Sequence, residues 1–212
     1  MEIKVCGMRE SENIRGLIAE VRPDWMGLIF YPKSPRYVED SLAPQISEMN
    51  VPKVGVFVNE SIPEILEKIV KFDLAAIQLH GSEMPEFVEE INSKTDVEIW
   101  KVVSVGEELD WEDLKPYAPL VDKFLFDTAT KAHGGSGRKF DWKYLETYPF
   151  NKSFLLSGGI DQDSAKEIWD LAEKVPQLKG VDLNSKFEIS PALKEIEKLK
   201  EFKQNLLSEK RA

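Results

Sequence analysis

A thiol and a carboxyl are the side chains of this sequence best suited to acid–base chemistry. Cys6 is the only cysteine among the 212 residues and ends the apolar run EIKVC, while Asp127 ends the run KFLFD. At pH 7 a free thiol is only about 3% ionised, and a free aspartic acid keeps its proton about one time in a thousand. A cysteine base therefore gains from a nearby positive charge, and an aspartic acid that donates a proton needs burial or a neighbouring anion. No obvious cation stands beside Cys6 in the sequence.

Three other segments carry residue types that bind anions. In YPKSPRYV, at residues 31–38, two prolines stiffen the loop that holds Arg36, and an arginine can meet a carboxylate or a phosphate with two parallel hydrogen bonds. In LSGGI, Gly158 and Gly159 let backbone N–H groups approach an anion, and the N-terminus of a following helix favours negative charge. The third segment is VDLNSKFE, at residues 181–188. A solvated arginine and an ordinary glycine turn are the alternatives.

Eight short apolar runs would position these residues. They lie at residues 2–6, 25–30, 51–58, 75–80, 97–103, 123–127, 153–158 and 178–183. Nearly continuous apolar runs are typical of parallel strands covered on both faces, and amphipathic segments lie between them. Among these segments, SIPEILEKIVKF predicts a helix capped by Ser61, and SPALKEIEKLKEFKQNLL predicts one with Ser190 as its cap and Pro191 at its first position.

The alternation of strands and helices continues without a linker-like segment. It predicts a single domain over residues 1–212 with an α/β fold, a (β/α)8 TIM barrel, and an open doubly wound sheet is the alternative. In such a barrel, chemistry lies at the C-terminal ends of the strands, and the loops after the last two strands commonly bind phosphate. Cys6 and Asp127 would then face the same mouth as a candidate base and acid. The simpler interpretations are a small buried side chain and a loop cap.

The charge and cysteine content limit the partners and the compartment. The net charge of −10 works against binding to nucleic acid or to an anionic membrane surface, so any anionic ligand must be held locally. No apolar stretch approaches the length of a membrane span, and the first residues lack the pattern of a secretory signal. One cysteine permits no internal disulfide, which suits a reducing compartment. We therefore expect a cytoplasmic protein that binds a small molecule.

The two histidines and a glycine-rich segment complete the candidates. His80 ends the fourth run, where a histidine is either a hydrogen-bonded structural residue or one that faces the ligand. His133 lies far from it in the sequence, so no metal-ligand spacing is present and we expect no metal site. The segment at residues 128–142 follows Asp127 and predicts either a lid over a ligand or simple slack between elements.

In their order along the chain these motifs resemble the phosphoribosylanthranilate isomerase family. KVCGM resembles the family's K-x-C-G opening, FYPKSPRYV its S-P-R-x-V loop, VGVFVNE its third strand and QLHG its fourth. FDTATKAHGGSGRKFDW is similar to its D-…-G-G-T/S-G-…-F-D-W segment, and LSGGI to its strand-seven loop. The resemblance runs from residue 2 to about residue 192.

The resemblance implies a cofactor-independent isomerase of tryptophan biosynthesis that performs the Amadori rearrangement of N-(5-phosphoribosyl)anthranilate. It implies that Asp127 protonates the ring oxygen, that Cys6 removes the C2 proton and that Arg36 holds the anthranilate carboxylate. The backbone that would hold the phosphate belongs to Gly158, Gly159, Asn184 and Ser185. Asp182 and His80 are possible substrate-orienting residues, with a structural turn as the alternative for Asp182. The expected partner is a small phosphorylated molecule, and the chain would be a monomer or a homodimer.

The chain departs from the family pattern near the expected phosphate site. Asn184 replaces a serine, Lys186 replaces a glycine and Ala192 replaces a second glycine. Lys186 would add positive charge there, whereas the loss of a glycine would alter the backbone path.

Two other functions stay open. The histidine-pathway isomerase performs the same type of rearrangement, but it places an aspartate at the end of strand one, where this chain has Cys6. A catalytically silent barrel that binds a phosphorylated ligand would need neither Cys6 nor Asp127.

Overall fold

The computed structural model describes residues 1–106, 109–128 and 140–209. Eight parallel strands close into a barrel in the order in which they occur along the chain. The strands are β1 (Glu2–Val5), β2 (Trp25–Ile29), β3 (Lys53–Phe57), β4 (Ala76–Leu79), β5 (Glu98–Val105), β6 (Lys123–Thr128), β7 (Phe154–Leu156) and β8 (Leu178–Leu183). The predicted TIM barrel is confirmed, and each predicted strand agrees with the observed one to within two residues at either end.

Helices cover the outside of the barrel at most of the predicted positions. They are α1 (Ser11–Gly16), continued by a π-helical turn (Leu17–Val21), α2 (Ala43–Ser47), α3 (Ile62–Phe72), α4 (Pro85–Asn92), α5 (Ala165–Lys174) and α6 (Ile196–Glu209). Short 3-10 turns, Trp111–Leu114 and Trp142–Thr147, follow β5 and β6. The predicted cap of α3 is present, because Ser61 Oγ accepts the N–H of Glu64 at 3.4 Å. Across the three described ranges, none of the helices combines the length and the apolar character that crossing a membrane requires.

The barrel interior is distinct from the layer between strands and helices. Ile3 and Val5 belong to the large outer apolar cluster. Successive side chains of a strand point to opposite faces, so Lys4 and Cys6 face the barrel interior. The apolar part of that interior is a small cluster of Val54, Ala76, Trp100, Val102, Leu125 and Leu155. Lys4, Gln78 and Asp182 are among the polar and charged side chains that are buried.

The segment after β8 differs from the prediction. A small antiparallel ribbon, β9 (Glu188–Ser190) and β10 (Leu193–Lys194), precedes α6. The helix start predicted at Ser190 and Pro191 is therefore wrong, since α6 begins at Ile196. Between the two short strands Ala192 adopts a φ of 70°, in the left-handed region that disfavours a Cβ. The loss of the family's glycine thus leaves the turn in place but under strain.

The N-terminal end of the barrel is closed by a lower plug, which consists of Glu2, Trp25, Glu98, Trp100 and Lys123. Lys123 Nζ lies 4.8 Å from a ring centroid of each tryptophan, and 3.4 and 3.1 Å from the carboxylates of Glu2 and Glu98. Trp25 Nε1 donates to Glu2 at 3.1 Å, and Trp100 Nε1 donates to Glu98 at 2.7 Å. Every charge and every indole N–H of the lower plug therefore has a partner within the plug.

Candidate active site

Cys6 lies at the opposite, C-terminal mouth of the barrel, just beyond β1. Its N–H donates to the carbonyl of Leu183 at 2.9 Å, which continues the ladder with β8, and the residue is only 4% exposed. Gly27 on β2 provides the space for it. A Cβ at Gly27 would come within 2.8 Å of Cys6 Sγ and 3.1 Å of Lys4 Nζ. The thiol and the ammonium group therefore lie against the same glycine.

Lys4 supplies the cation beside Cys6 that the sequence analysis missed. The register of β1 and β8 sets Lys4 opposite Asp182, and Lys4 Nζ donates to Asp182 Oδ1 at 2.9 Å. Lys4 is fully buried and Asp182 is 6% exposed. The available clue was the spacing of Lys4 and Cys6, because residues two apart in a strand share a face. Asp182, predicted as a possible substrate-orienting residue, is thus the partner of a buried lysine.

The surroundings of Cys6 exert opposing effects on its ionisation. Burial raises the pKa of the Cys6 thiol above its ordinary value, the positive charges of Lys4 and Lys194 oppose that rise, and the charge of Asp182 adds to it. For Lys4, burial lowers the pKa, but the charges of Asp182 and Cys6 outweigh burial and raise it. The site therefore keeps a charged lysine next to a thiol that ionises only with help.

Asp127 ends β6 at the same mouth. Its Oδ1 accepts the N–H of Thr128 at 2.8 Å, and its Oδ2 lies 3.7 Å from His80 Nε2. Burial, followed by the charge of Asp182, raises the pKa of Asp127 to about 6, although the N–H of Thr128 and the charge of Lys4 act in the opposite direction. At pH 7 about one Asp127 side chain in ten keeps its proton, a population about a hundred times larger than for a free aspartic acid.

His80 lies between Asp127 and the buried Gln78. Gln78 Nε2 and His80 Nδ1 are 3.5 Å apart, while the other ring nitrogen faces Asp127. These contacts support a structural histidine that steadies the acid. The His80 side chain is still 14% exposed, so it also borders the mouth.

Gly158 and Gly159 follow β7 with φ values of 81° and 71°. Both lie in the left-handed region that glycine adopts without penalty. A Cβ at Gly158 would come within 2.4 Å of Thr128 Oγ1 and 2.7 Å of Asp127 Oδ1. The loop therefore approaches the candidate acid as closely as only a glycine allows.

The N-terminus of the helix that follows this loop is capped by a carboxylate of the chain itself. Asp161 Oδ1 accepts the N–H of Asp163 at 3.2 Å and the hydroxyl of Ser164 at 2.8 Å. The carboxylate of Asp161 thus already accepts one backbone N–H of this helix end, and the contribution of the helix N-terminus to anion binding stays a prediction. An anion at this loop would also meet the backbone N–H groups of the two glycines.

Arg36 is held by a carboxylate from far along the chain. Glu188 on β9 accepts Arg36 Nε at 2.9 Å and Nη2 at 2.6 Å, and Lys194 Nζ donates to the same carboxylate at 2.5 Å. Hydrogen bonding to Glu188 raises the pKa of Arg36. These bonds use Nε and Nη2, so the third guanidinium nitrogen, Nη1, takes no part in the contact with Glu188.

Asn184 connects the Arg36 cluster to the end of β8. Its Oδ1 accepts Lys194 Nζ at 2.8 Å, and Lys194 is 1% exposed. Gly7, with a φ of 76°, packs between the two groups, because a Cβ there would come within 2.6 Å of Arg36 Cδ and 3.0 Å of Asn184 Oδ1. The replacement of serine by asparagine at position 184 thus binds a buried lysine.

The remaining predicted residues have simpler positions. Ser185 is half-buried and begins a 3-10 turn, Ser185–Phe187, directly after Asn184. Lys186 is exposed, and its φ lies outside the left-handed region, so the loss of glycine there causes no strain. Most of the predicted lid, residues 129–139, lies outside the described residues.

The geometry brings together the candidate acid, the candidate base and their charged neighbours. Cys6, Asp127 and Asp182 share one mouth with Lys4, and Arg36 lies beside Cys6 across Gly7. Such an arrangement can protonate one atom of a bound molecule and remove a proton from another. Sequence analysis did not identify Glu188 and Lys194, because nothing local marks their contacts with Arg36 and Asn184.

Comparisons with known proteins agree with this geometry. The family model for N-(5'phosphoribosyl)anthranilate (PRA) isomerase matches residues 3–205. An N-(5'-phosphoribosyl)anthranilate isomerase of Parabacteroides distasonis is 43% identical over 211 residues, which cover 98% of this chain and 94% of the relative.

Solved isomerases share the fold along their whole length. A structure of monomers of the dimeric phosphoribosylanthranilate isomerase of Thermotoga maritima has a TM-score of 0.81 at 31% identity and covers 98% of both chains. An isomerase solved in complex with reduced 1-(o-carboxyphenylamino)-1-deoxyribulose 5-phosphate has a TM-score of 0.81 at 30% identity and covers 98% of this chain and 99% of its own. With a closed eightfold barrel, an acid and a thiol at its mouth and matches of this extent, the chain belongs to the N-(5'-phosphoribosyl)anthranilate isomerase family.

Proposed function

We propose that this chain catalyses the Amadori rearrangement of N-(5-phosphoribosyl)anthranilate in tryptophan biosynthesis, with Asp127 as the general acid and Cys6 as the general base. The observation that carries the proposal is the pairing of a buried thiol with a carboxyl whose pKa is raised to about 6, at the mouth of the same barrel. The ligand of the solved relative supports the choice of substrate, because it is the reduced form of the product of this rearrangement.

The first step opens the sugar ring. Asp127 gives its proton to the ring oxygen, the bond from C1 to that oxygen breaks, and the lone pair of the anthranilate nitrogen forms a C=N bond. The ring oxygen becomes the hydroxyl on C4. A raised pKa makes Asp127 a better proton reserve near neutral pH than an ordinary carboxyl.

The second step moves a proton from C2. The Cys6 thiolate takes that proton, the C–H electrons form a C1=C2 bond, and the C=N electrons return to nitrogen, which gives an enolamine. Tautomerisation moves the proton of the C2 hydroxyl to C1 and leaves a ketone at C2. The proton gained by Cys6 and the proton lost by Asp127 exchange through solvent, so the enzyme returns to its starting state without a cofactor.

Two anion sites would hold the ends of the substrate. Arg36 would bind the anthranilate carboxylate, and Glu188 would fix the orientation of its guanidinium group through the bonds from Nε and Nη2. The phosphate would lie on the backbone of Gly158, Gly159, Asn184 and Ser185. Asp182 and His80 would help to orient the sugar between these ends.

We also propose a single domain over residues 1–212, a cytoplasmic location and a monomeric or homodimeric chain. The lone Cys6 supports a reducing compartment, and the related Thermotoga maritima isomerase is described as dimeric. The net charge of −10 supports a protein with neither nucleic acid nor a membrane as partner.

The proposal is tested with freshly prepared phosphoribosylanthranilate, whose anthranilate fluorescence changes as product forms. We expect the unaltered chain to turn it over and Cys6→Ser to lose about a hundredfold or more in kcat, because a hydroxyl is a far weaker base than a thiolate. Binding of the reduced product analogue should be largely kept in Cys6→Ser. We expect KM to rise in Arg36→Ala, since a charge-assisted pair with the carboxylate is lost.

Arg15→Ala is the control for Arg36→Ala, because Arg15 lies on the exposed face of α1. An inactive unaltered chain would contradict the proposed reaction. Full activity of Cys6→Ser would remove the base assignment, and an equal KM in the two arginine variants would remove the carboxylate site.

A further inference from the structure

Two of the buried ion pairs of this barrel differ in what their lysines contact. Lys101, which faces outward on β5, donates to Glu83 at 2.9 Å and also to the carbonyl of Gly81 at 2.7 Å. Glu83 in turn accepts the backbone N–H of Asn59 at 2.9 Å, so this pair fastens a loop. Lys4 instead faces the barrel interior, where it contacts two side chains that can titrate, Asp182 and Cys6.

The position of the Lys4–Asp182 pair fits a role in chemistry. A buried ion pair costs desolvation, and well-packed apolar residues would often serve stability as well or better. Here the pair adjoins both proposed catalytic groups: Lys4 lies on the strand face that carries Cys6, and the charge of Asp182 acts on Asp127 across the mouth.

We propose that Lys4 and Asp182 form a positioning pair that sets the charge states of both proposed catalytic groups. Lys4 stabilises the thiolate of Cys6, and Asp182 favours the protonated form of Asp127 while it holds Lys4 in place. The inference rests on the proposed function, because it assigns the ionised thiol and the neutral carboxyl to that reaction.

Other charged groups face the same two side chains. Lys194 on β10 also favours the thiolate of Cys6, and Arg36 interacts with it from the loop after β2. Around Asp127, the described groups are Asp182 on β8, Lys4 on β1, His80 after β4 and the N–H of Thr128. Among these, only the charges of Lys4 and Asp182 act on both Cys6 and Asp127. A substitution of either residue should therefore shift the pKa values of Cys6 and Asp127 in the same direction.

The single cysteine makes the test direct. Alkylation by iodoacetamide as a function of pH reports the ionisation of Cys6 alone, and it requires no turnover. We expect Lys4→Met to slow alkylation at pH 7 about tenfold, because the thiolate population falls tenfold for each pH unit by which the thiol pKa rises. We expect Asp182→Asn to speed it up, because Lys4 then acts on the thiol without a competing anion.

The dependence of kcat/KM on pH provides the second readout. The limb that reports Asp127 should move to lower pH in Asp182→Asn and to higher pH in Lys4→Met. Lys101→Met is the matched control, since it breaks an equally short buried ion pair away from Cys6 and should leave the alkylation profile unchanged. If Lys4→Met does not fold, Asp182→Asn still tests the inference. This variant should fold, because the amide oxygen of asparagine can accept the hydrogen bond from Lys4.

The outcomes separate this inference from the proposed function. Alkylation profiles that are identical in Lys4→Met, Asp182→Asn and the unaltered chain would overturn the inference even if the chain turns over its substrate. Equal shifts in Lys4→Met and Lys101→Met would also overturn it, because they would indicate a general loss of packing. If the chain had no isomerase activity, opposite alkylation shifts would still support the effect on the thiol, and the failure would lie with the proposed reaction.

Discussion

At both ends of the barrel a lysine faces carboxylates, but the two groups of charges are balanced differently. In the lower plug, Lys123 stands between Glu2 and Glu98 and against two indole rings, so one cation meets two anions and two negative ring faces. At the upper mouth, Lys4 is shared by Asp182 and the Cys6 thiol, and Asp127 is repelled by Asp182.

The difference indicates that the charges at one end of the barrel serve stability and those at the other end serve reactivity. Groups that satisfy one another, as in the lower plug, stabilise the fold. Groups that repel one another, as Asp127 and Asp182 do, destabilise the fold but keep a proton available near neutral pH. We therefore expect substitutions at the mouth to lower turnover and raise stability, and substitutions in the lower plug to lower stability and leave turnover almost unchanged.

The largest expected effect is at Asp127. Asp127→Asn should lower kcat about a thousandfold, because the amide cannot protonate the ring oxygen. The same variant should be more stable than the unaltered chain at pH 8, by up to about 3 kcal/mol, because a buried carboxylate with a raised pKa is removed. Fluorescence assays and urea unfolding on the same preparations measure both quantities.

The pH dependence of that stability gain has a defined sign. The pKa of Asp127 in the folded chain is about 6, above the ordinary value of 3.8. Below the lower value the carboxyl is protonated in both the folded and the unfolded chain, so it causes no loss of stability. The loss grows as the pH rises from the lower value to the higher one and is complete above it. The advantage of Asp127→Asn should therefore be small at pH 4 and level off above about pH 7. An advantage that is independent of pH would contradict the raised pKa.

An intermediate effect is expected at the lower plug. Lys123→Met should destabilise the chain by about 2 kcal/mol, because two carboxylates lose their cation and two rings lose a cation–π contact. Turnover should change less than about twofold, since the plug lies at the end of the barrel away from the mouth. Lys115→Met is the control, as it breaks only an exposed pair with Glu112. A large loss of turnover in Lys123→Met without a loss of stability would contradict the assignment of stability to the lower plug and reactivity to the mouth.

The smallest effect is expected at the upper rim, where Ala192 adopts a φ of 70°. Ala192→Gly should stabilise the chain by about 1 kcal/mol, because glycine enters the left-handed region without the steric cost of a Cβ. Ala172→Gly within α5 should have the opposite sign, since glycine lowers helix stability. Urea unfolding of the two variants gives the comparison, and a destabilised Ala192→Gly would show that the turn is not strained.

The fold was predictable because each strand has a pattern that can be recognised within a few consecutive residues. Each strand is a short apolar run, and eight such runs separated by amphipathic segments leave few architectures. The helix predicted at Ser190 failed for the converse reason. Ser190 and Pro191 are common at a helix start, but the ribbon there is held through Glu188 by Arg36, a residue 152 positions away.

The site was predictable in part. The positions of Cys6 and Asp127 at the mouth could be predicted because both residues end strands of a barrel, a rule that needs only the strand count. The position of Lys4 beside Cys6 could also have been predicted, since their spacing puts both on one face of β1. Lys194 was not, because its contacts with Asn184 and Glu188 depend on the path of a ribbon that no local pattern specifies.

The contact between Lys4 and Asp182 also has a consequence for the order of assembly. The two residues are 178 positions apart, and they join the first strand to the last at the seam where the barrel closes. During synthesis from the N-terminus, Cys6 leaves the ribosome with its lysine but without the carboxylate that completes the pair. A fragment that ends before β8 would therefore hold both the thiol and Asp127 and still lack the electrostatic setting of the site. Catalytic competence should appear in a single late event, when the last strand docks.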